Sequence, residues 1–257
     1  MDMTRPEPSR SRAWPGAFTL IETMVVISVV AVLIGLLAPA LAAARAQASA
    51  GVSLSNLRGV GVTFELHLQA HRDAWPFRRT DEWMRTNPDT PTRTFLTDDP
   101  WALRYAWPTL MHEIAPWREH YQTWVNPGAG REAGEPWLSK NAGRGAALAW
   151  PSYEYSNSFV ARPSVWSGGV APAPEAGLNP THGFEVAHPS AKALAFDAHV
   201  EYWTGRSAPD RRGVLLVDGA AAIRPDAAAR DPVTNALRAG PARLYHDTAL
   251  GVLGRDF

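Results

Sequence analysis

A chain of 257 residues is long enough for one sizeable domain plus an anchor, or for two small domains. Its 25 basic residues balance 25 acidic ones, which removes the positive excess a nucleic-acid-binding surface needs. The lack of cysteine excludes disulfides, zinc–thiolate sites and thiol nucleophiles, and eleven tryptophans with 22 prolines point to short elements, aromatic packing and long connections, not a helical bundle.

The first element in chain order is an apolar run. Residues 23–44 carry no charged side chain, and as a helix they span about 33 Å, against a hydrocarbon core of roughly 30 Å. A membrane-crossing helix over about 22–44 is the expectation. Arg5, Arg10 and Arg12 precede the run and Arg45 follows it, a bias toward a cytoplasmic N-terminus that Asp2 and Glu7 partly offset. A cleaved secretory signal is a competing reading, with "ALA" or "AAA" near residues 40–44 as the cutting site; its apolar core typically has only about 7–15 residues. A plain single-pass anchor is another. Glu22, at the entrance of the run, has a local explanation of its own. Thr19-Leu20-Ile21-Glu22 fits a capping box, in which Thr and Glu satisfy free N–H groups of a helix start. A carboxylate there also meets the positive end of the helix dipole.

The string Phe18-Thr19-Leu20-Ile21-Glu22, followed by such a span, resembles the N-terminus of type IV prepilins and type II secretion pseudopilins. In that family a prepilin peptidase cuts just before the phenylalanine on the cytoplasmic side. The new amino terminus is methylated, and the retained helix becomes a filament core. The resemblance implies residues 1–17 as a leader, cleavage between Ala17 and Phe18, N-methylation of Phe18, and a role in assembly for Glu22. A carboxylate in a dry helical core is costly unless a cation joins it; the amine freed at Phe18, from the same or a neighbouring subunit, is the cation available. Pro39 matches the proline that pilin-like helices often carry about six turns in, where a missing hydrogen bond bends or loosens the rod. One departure stands out. The family prefers glycine before the phenylalanine, and this chain reads Gly16-Ala17-Phe18. Cutting after Ala17 keeps the Phe18–Glu22 spacing, whereas cutting after Gly16 shifts the glutamate, so the first is preferred.

The stem, residues 45–75, is expected to continue the helix. Leu54, Leu57, Val60, Phe64, Leu68 and His71 recur at three- or four-residue steps, an amphipathic stripe. Gly51, Gly59 and Gly61 weaken it by roughly 1 kcal/mol each relative to alanine, so packing must hold it. It should stop by Trp75-Pro76. The segment is similar to a large bacterial subfamily of pseudopilin-like proteins, whose stem reads "CLSNLRQ" and ends near "DG.FP". Leu54-Ser55-Asn56-Leu57-Arg58 and Gly61 match, Asp73-Ala74-Trp75-Pro76 stands at the helix end, and Ser53 replaces the cysteine.

From residue 76 to 257 a head domain is expected. Residues 77–137 read as loops with one or two short helices. "WVNPG" (124–128) resembles the subfamily's "CP" element, with Asn126 in place of the cysteine; if the family cysteines pair, loss of both here is coherent. Residues 128–145 and 167–180 read as loops. "PSYEYSNSFV" (151–160) alternates like a strand and resembles the subfamily's "SYG.N" through Ser152, Tyr153 and Asn157. "AKALAFDAHVEYW" (191–203) predicts a hairpin turning at Asp197-Ala198, and "GVLLVDGAAAIRP" (213–225) a second turning at Asp218-Gly219, with both turn positions at positive φ. The tail, 226–257, predicts a helix around "DPVTNALRAG" and shows no legible chemistry.

His182, His188, Asp197, His199, Asp218 and His246 are the catalytic or metal-ligating candidates. The subfamily's "H-x9-DG" signature is degraded: Ala208 stands ten before Asp218, and His188 precedes Asp197 by nine with Ala198 after it. Turn geometry accounts for both aspartates. His199 lacks helical i,i+4 spacing and a third ligand, and no "GxSxG" or "HExxH" is present. No catalysis, metal or cofactor is expected. Tryptophans can stack sugars or bases when exposed, but packing is the expected role of most.

The whole reads as an α+β, pilin-like chain: a long transmembrane and stem helix (18–75) packed on a C-terminal antiparallel β-sheet head. The resemblance implies a single-pass protein of a bacterial inner membrane, its head periplasmic. It implies prepilin peptidase, other pilin-like subunits and secretion-machine membrane proteins as partners, and a structural role in type II secretion or a related filament. A permanently anchored periplasmic binding protein is the alternative; a secreted hydrolase behind an ordinary signal comes third.

Overall fold

The computed structural model describes residues 19–77, 100–111, 113–126, 151–197 and 211–257. Gly16, Ala17, Phe18, Ala198, His199, the expected 128–145 loop and the expected outgoing strand to 203 lie outside these. Contacts divide the chain at Arg45, and one helix, α1 (Leu20–Ala70), carries both sides of that division.

In the first unit, α1 is apolar on every side and solvent-facing throughout; Leu20 is 75% and Leu36 70% exposed. It is long and apolar enough to cross a membrane once. Its few polar side chains are satisfied within the helix. Ser28 Oγ donates to the Met24 carbonyl at 2.8 Å and Thr23 Oγ1 to Thr19 at 3.4 Å. No hydroxyl in the run therefore needs water, the condition a hydrocarbon environment imposes. Pro39 lies inside α1 without ending it.

In the second unit, the stem part of α1 buries one face: Ser53, Leu57, Val60, Gly61, Thr63, Phe64, His67 and Leu68. The stripe holds as far as Leu68, but His67, not His71, completes it; His71 is exposed. The helix also stops at Ala70, earlier than Trp75-Pro76 would require. Asp73 N–H reaches back to the Leu68 carbonyl at 2.8 Å, and Arg72 and Asp73 adopt positive φ (55° and 65°). That is a Schellman-type ending built without glycine.

Two short helices follow, α2 (Leu103–Leu110) and α3 (Trp117–Trp124). A four-stranded antiparallel sheet then forms in the order β1 (Tyr153–Tyr155), β2 (Ala193–Asp197), β3 (Arg211–Leu216), β4 (Ala221–Pro225). The strand expected at 151–160 is only three residues long, and a 3₁₀ turn replaces the rest at Asn157–Phe159.

Alternation along β3 sorts the core. Leu215 joins Leu57, Val60, Phe64, Tyr153 and Tyr155 on the helix side, while Val214 and Leu216 join Phe196 and Tyr245 on the other. A register irregularity between Ala193 and Ala195 lets Leu194 and Ala195 both enter the helix-side cluster. Close approach sets the stem glycines. A Cβ on Gly61 would stand 3.3 Å from Leu215, and one on Gly59 2.8 Å from Thr123. Trp75, Trp101, Trp107, Trp124 and Trp166 are all buried, with Phe64 between Trp75, Trp107 and Tyr155 at ring-centroid distances of 6.3, 5.3 and 4.9 Å.

The β3–β4 turn corrects the expected hairpin geometry. Gly219 N–H donates to Leu216 at 3.0 Å and Leu216 N–H to Ala220 at 2.8 Å, so the loop has three residues, 217–219. Only Gly219 has positive φ (84°); Asp218 is not among the positive-φ residues, and its carboxylate accepts from Ala220 N–H at 3.0 Å. The tail also departs from expectation. Residues 231–240 form no helix, because Val233 N–H is taken by the Asp247 carbonyl and Ala236 N–H by that of Val165.

Candidate functional site

At the start of α1, Thr19 and Glu22 form the capping box. Glu22 Oε2 accepts from Thr19 N–H and from Thr19 Oγ1, both at 2.8 Å, and Thr19 Oγ1 accepts from Glu22 N–H at 3.2 Å. The local explanation of this carboxylate is therefore realised in geometry. A carboxylate oriented by two donors at the mouth of an exposed apolar helix is also placed to receive a further cation, since each oxygen has two lone pairs.

Where the stem packs on the head, residues from five separate segments meet. Asn126 Nδ2 donates to Ser53 Oγ at 3.1 Å and to Asp197 Oδ1 at 3.2 Å. Ser53 Oγ lies 3.0 Å from the Tyr153 hydroxyl. The second Asp197 oxygen accepts from Gly213 N–H at 2.8 Å, at a glycine whose Cβ would strike that carboxylate and Leu57. Ser53 and Asn126 are thus direct neighbours. This overturns the turn assigned to Asp197. It is the last residue of β2, paired with Tyr153 and wholly buried, and its carboxylate ties the sheet to the stem. Burial, with the Asp197 charge nearby, pushes the Tyr153 hydroxyl far above its ordinary range, so it stays a neutral donor.

The remaining candidates are scattered. His182 stacks on Phe184 and approaches Glu185 at 3.6 Å; His188 is exposed; Asp218 sits in its turn. His246 is buried against Glu154, 2.7 Å from Nε2 to Oε2, while its Nδ1 accepts from Asn157 N–H at 3.1 Å. These bonds assign the neutral tautomer with the proton on Nε2. Burial lowers the His246 pKa, consistent with that form, and burial of Glu154 is outweighed by its His246 bond and nearby arginines, which hold it below the usual carboxylate value. Among the described residues no group of three His, Asp or Glu side chains is placed to hold a metal.

Sequence reasoning missed the densest polar cluster. Lys192, completely buried, donates to Ser158 Oγ at 2.8 Å, to Thr248 Oγ1, and to Asp256 Oδ2 at 3.1 Å. Donor and acceptor roles then follow in one direction. Ser156 Oγ donates to the Tyr245 carbonyl, so it accepts from Ser158 Oγ at 2.6 Å, and Ser158 in turn accepts from Lys192. Thr248 accepts from Lys192 and donates to Asp256. Burial lowers the Lys192 pKa, against the pull of Asp256. Alongside, Asp247 accepts from Trp166 Nε1 at 3.1 Å, Asn235 Nδ2 at 3.2 Å, Arg243 N–H at 2.8 Å and the Arg238 guanidinium. The three donors of the Lys192 ammonium are all taken up within the protein, which makes the cluster a fastener of the tail.

No family model, no curated protein and no solved structure matches the chain. What stands is architectural: a long apolar N-terminal helix, able to cross a membrane, whose stem packs on a four-stranded antiparallel sheet.

Proposed function

We propose that the chain is a pseudopilin-like structural subunit, processed by prepilin peptidase between Ala17 and Phe18 and assembled through its apolar helix into a type II secretion or related filament at the bacterial inner membrane. The observation that carries the reading is the division of labour along α1: residues 20–45 expose apolar side chains on all sides, and residues 53–68 bury a single stripe against the head. A rod of that kind has one half free to pack among copies of itself and one half that fixes the head to it. Glu22, oriented at the free end, would pair with the amine released at Phe18.

Mass measurement of the mature N-terminus tests processing: a methylated Phe18 is expected, and an intact leader or a terminus near residues 43–45 refutes it. Two variants then separate charge from capping. Glu22→Gln keeps a residue competent for the capping box but removes the charge. Loss of filament incorporation in Glu22→Gln and Glu22→Ala, with cleavage retained, is the expected result. Normal incorporation of Glu22→Gln assigns Glu22 to capping alone.

A further inference from the structure

The C-terminal segment folds over a cavity of about 230 Å³ in the head, smaller than the roughly 300–1,000 Å³ of drug-sized pockets. Its lining residues include the buried Asp247 and Asp256. Neither contributes free negative charge, because Arg238 neutralises the first and Lys192 the second. The exposed part of its lining carries Arg230 and Arg255, with no hydrogen bond or ion pair to either guanidinium among the described residues, together with His188 and one exposed carboxylate residue, Asp231. Leu250 and Leu253, 49% and 44% exposed, form an apolar wall.

Backbone bonds hold this part of the lining in place. Arg230 N–H donates to the Asp256 carbonyl at 2.7 Å, which sets Arg230 beside the 255–256 segment, and Asp256 N–H donates to Ala191 at 2.8 Å, which brings in the turn after His188. Leu250 and Gly251 both adopt positive φ (61° and 57°) where the chain bends to form the wall.

We propose that this cavity binds a small organic anion, a carboxylate- or phosphate-bearing solute whose charge is held by Arg230 and Arg255 and whose apolar body lies on Leu250 and Leu253. Guanidinium groups recognise both anions through paired N–H donors. The inference is independent of filament assembly, because the cavity belongs to the head alone.

Calorimetric titration of the full chain in non-ionic detergent tests it, with succinate, inorganic phosphate and uncharged succinamide as probes. Saturable binding of succinate or phosphate, with none for succinamide, is expected; the stronger of the two anions identifies the headgroup chemistry. The paired Arg230→Gln/Arg255→Gln variant should weaken binding by about tenfold or more, and Arg211→Gln, exposed and not among the lining residues, should leave it unchanged. Leu253→Glu, which adds a negative charge to the wall, should also abolish it. Absence of saturable binding, equal binding of succinamide, or unaltered affinity in both the arginine pair and Leu253→Glu overturns the proposal.

Discussion

Lys192→Met tests whether the buried cation organises the tail. The substitution keeps a long unbranched side chain but deletes three donated hydrogen bonds, to Ser158, Thr248 and Asp256. Asp256, 3% exposed, would keep only the Ala193 N–H at 2.8 Å and the Thr248 hydroxyl. An uncompensated buried carboxylate of this kind costs about 3–5 kcal/mol. At a slope of about 2–3 kcal/mol per molar urea, the unfolding midpoint should fall by about 1–2.5 M. Tryptophan fluorescence reports the event directly, since Trp166 Nε1 is bonded to Asp247 in the same region. Removing both charges in Lys192→Met/Asp256→Asn should cost less than the sum of the single changes, because no lone charge is left behind. Additive effects, or a Lys192→Met loss below about 1 kcal/mol, would show that the pair is not an interdependent unit.

Three further outcomes follow from the stem. His67 has its pKa lowered to about 4, first by burial and then by the charge of His71; the unfolded chain therefore binds the proton more readily, and this group's stabilisation should be full above about pH 6.5 and decline toward pH 4, by on the order of 3 kcal/mol at most, so that His67→Gln should reduce the acid-side loss in pH-dependent melts and leave the part due to His246, whose pKa burial also lowers. Ser53→Cys/Asn126→Cys should form a disulfide across 73 positions, visible as a mobility shift reversed by reductant and worth about 4 kcal/mol between oxidised and reduced forms; failure to crosslink contradicts the neighbourhood described. Gly51→Ala, with nothing within 4 Å of the new Cβ, should stabilise by about 0.5–1 kcal/mol, whereas Gly59→Ala, meeting Thr123 at 2.8 Å, should destabilise; equal thermal shifts for both would refute the close approach of α1 and α3.

Elements defined by local periodicity were legible. The stem stripe through Leu57, Val60 and Phe64 and the hairpin at Asp218-Gly219 both follow from spacing and turn chemistry within a few residues. The errors lie where a distant partner decides. His71 continues the stripe numerically, but the helix ends at Ala70 and the left-handed residues after it take the chain elsewhere, so His67 fills the buried position. Asp197 looks like a turn residue because Asp before a small residue commonly is one. Among the described residues its carboxylate reaches Ser53, Asn126 and Gly213, which are distant in sequence. A buried carboxylate at a strand end carries no mark in the sequence that distinguishes it from an exposed one.

The tail shows the same limit more strongly. "DPVTNALRAG" has helix-forming residues, yet Asn235 uses its side chain to hold Leu237 N–H at 2.9 Å and Asp247 at 3.2 Å, which binds the segment into a turn. Lys192, Ser158, Thr248 and Asp256 are individually ordinary surface-type residues. They became a buried core because the antiparallel sheet leaves the face of Phe196 and Val214 to be covered, and the C-terminal segment is what covers it, through Tyr245 and Phe257. Covering a sheet with irregular chain brings backbone and polar groups inside, and each must then find a partner. The hydroxyl, lysine and carboxylate network answers that need. Its illegibility is thus a consequence of the architecture: a helix or strand satisfies its own backbone and announces itself by period, whereas an irregular cover is satisfied by side chains drawn from across the whole head.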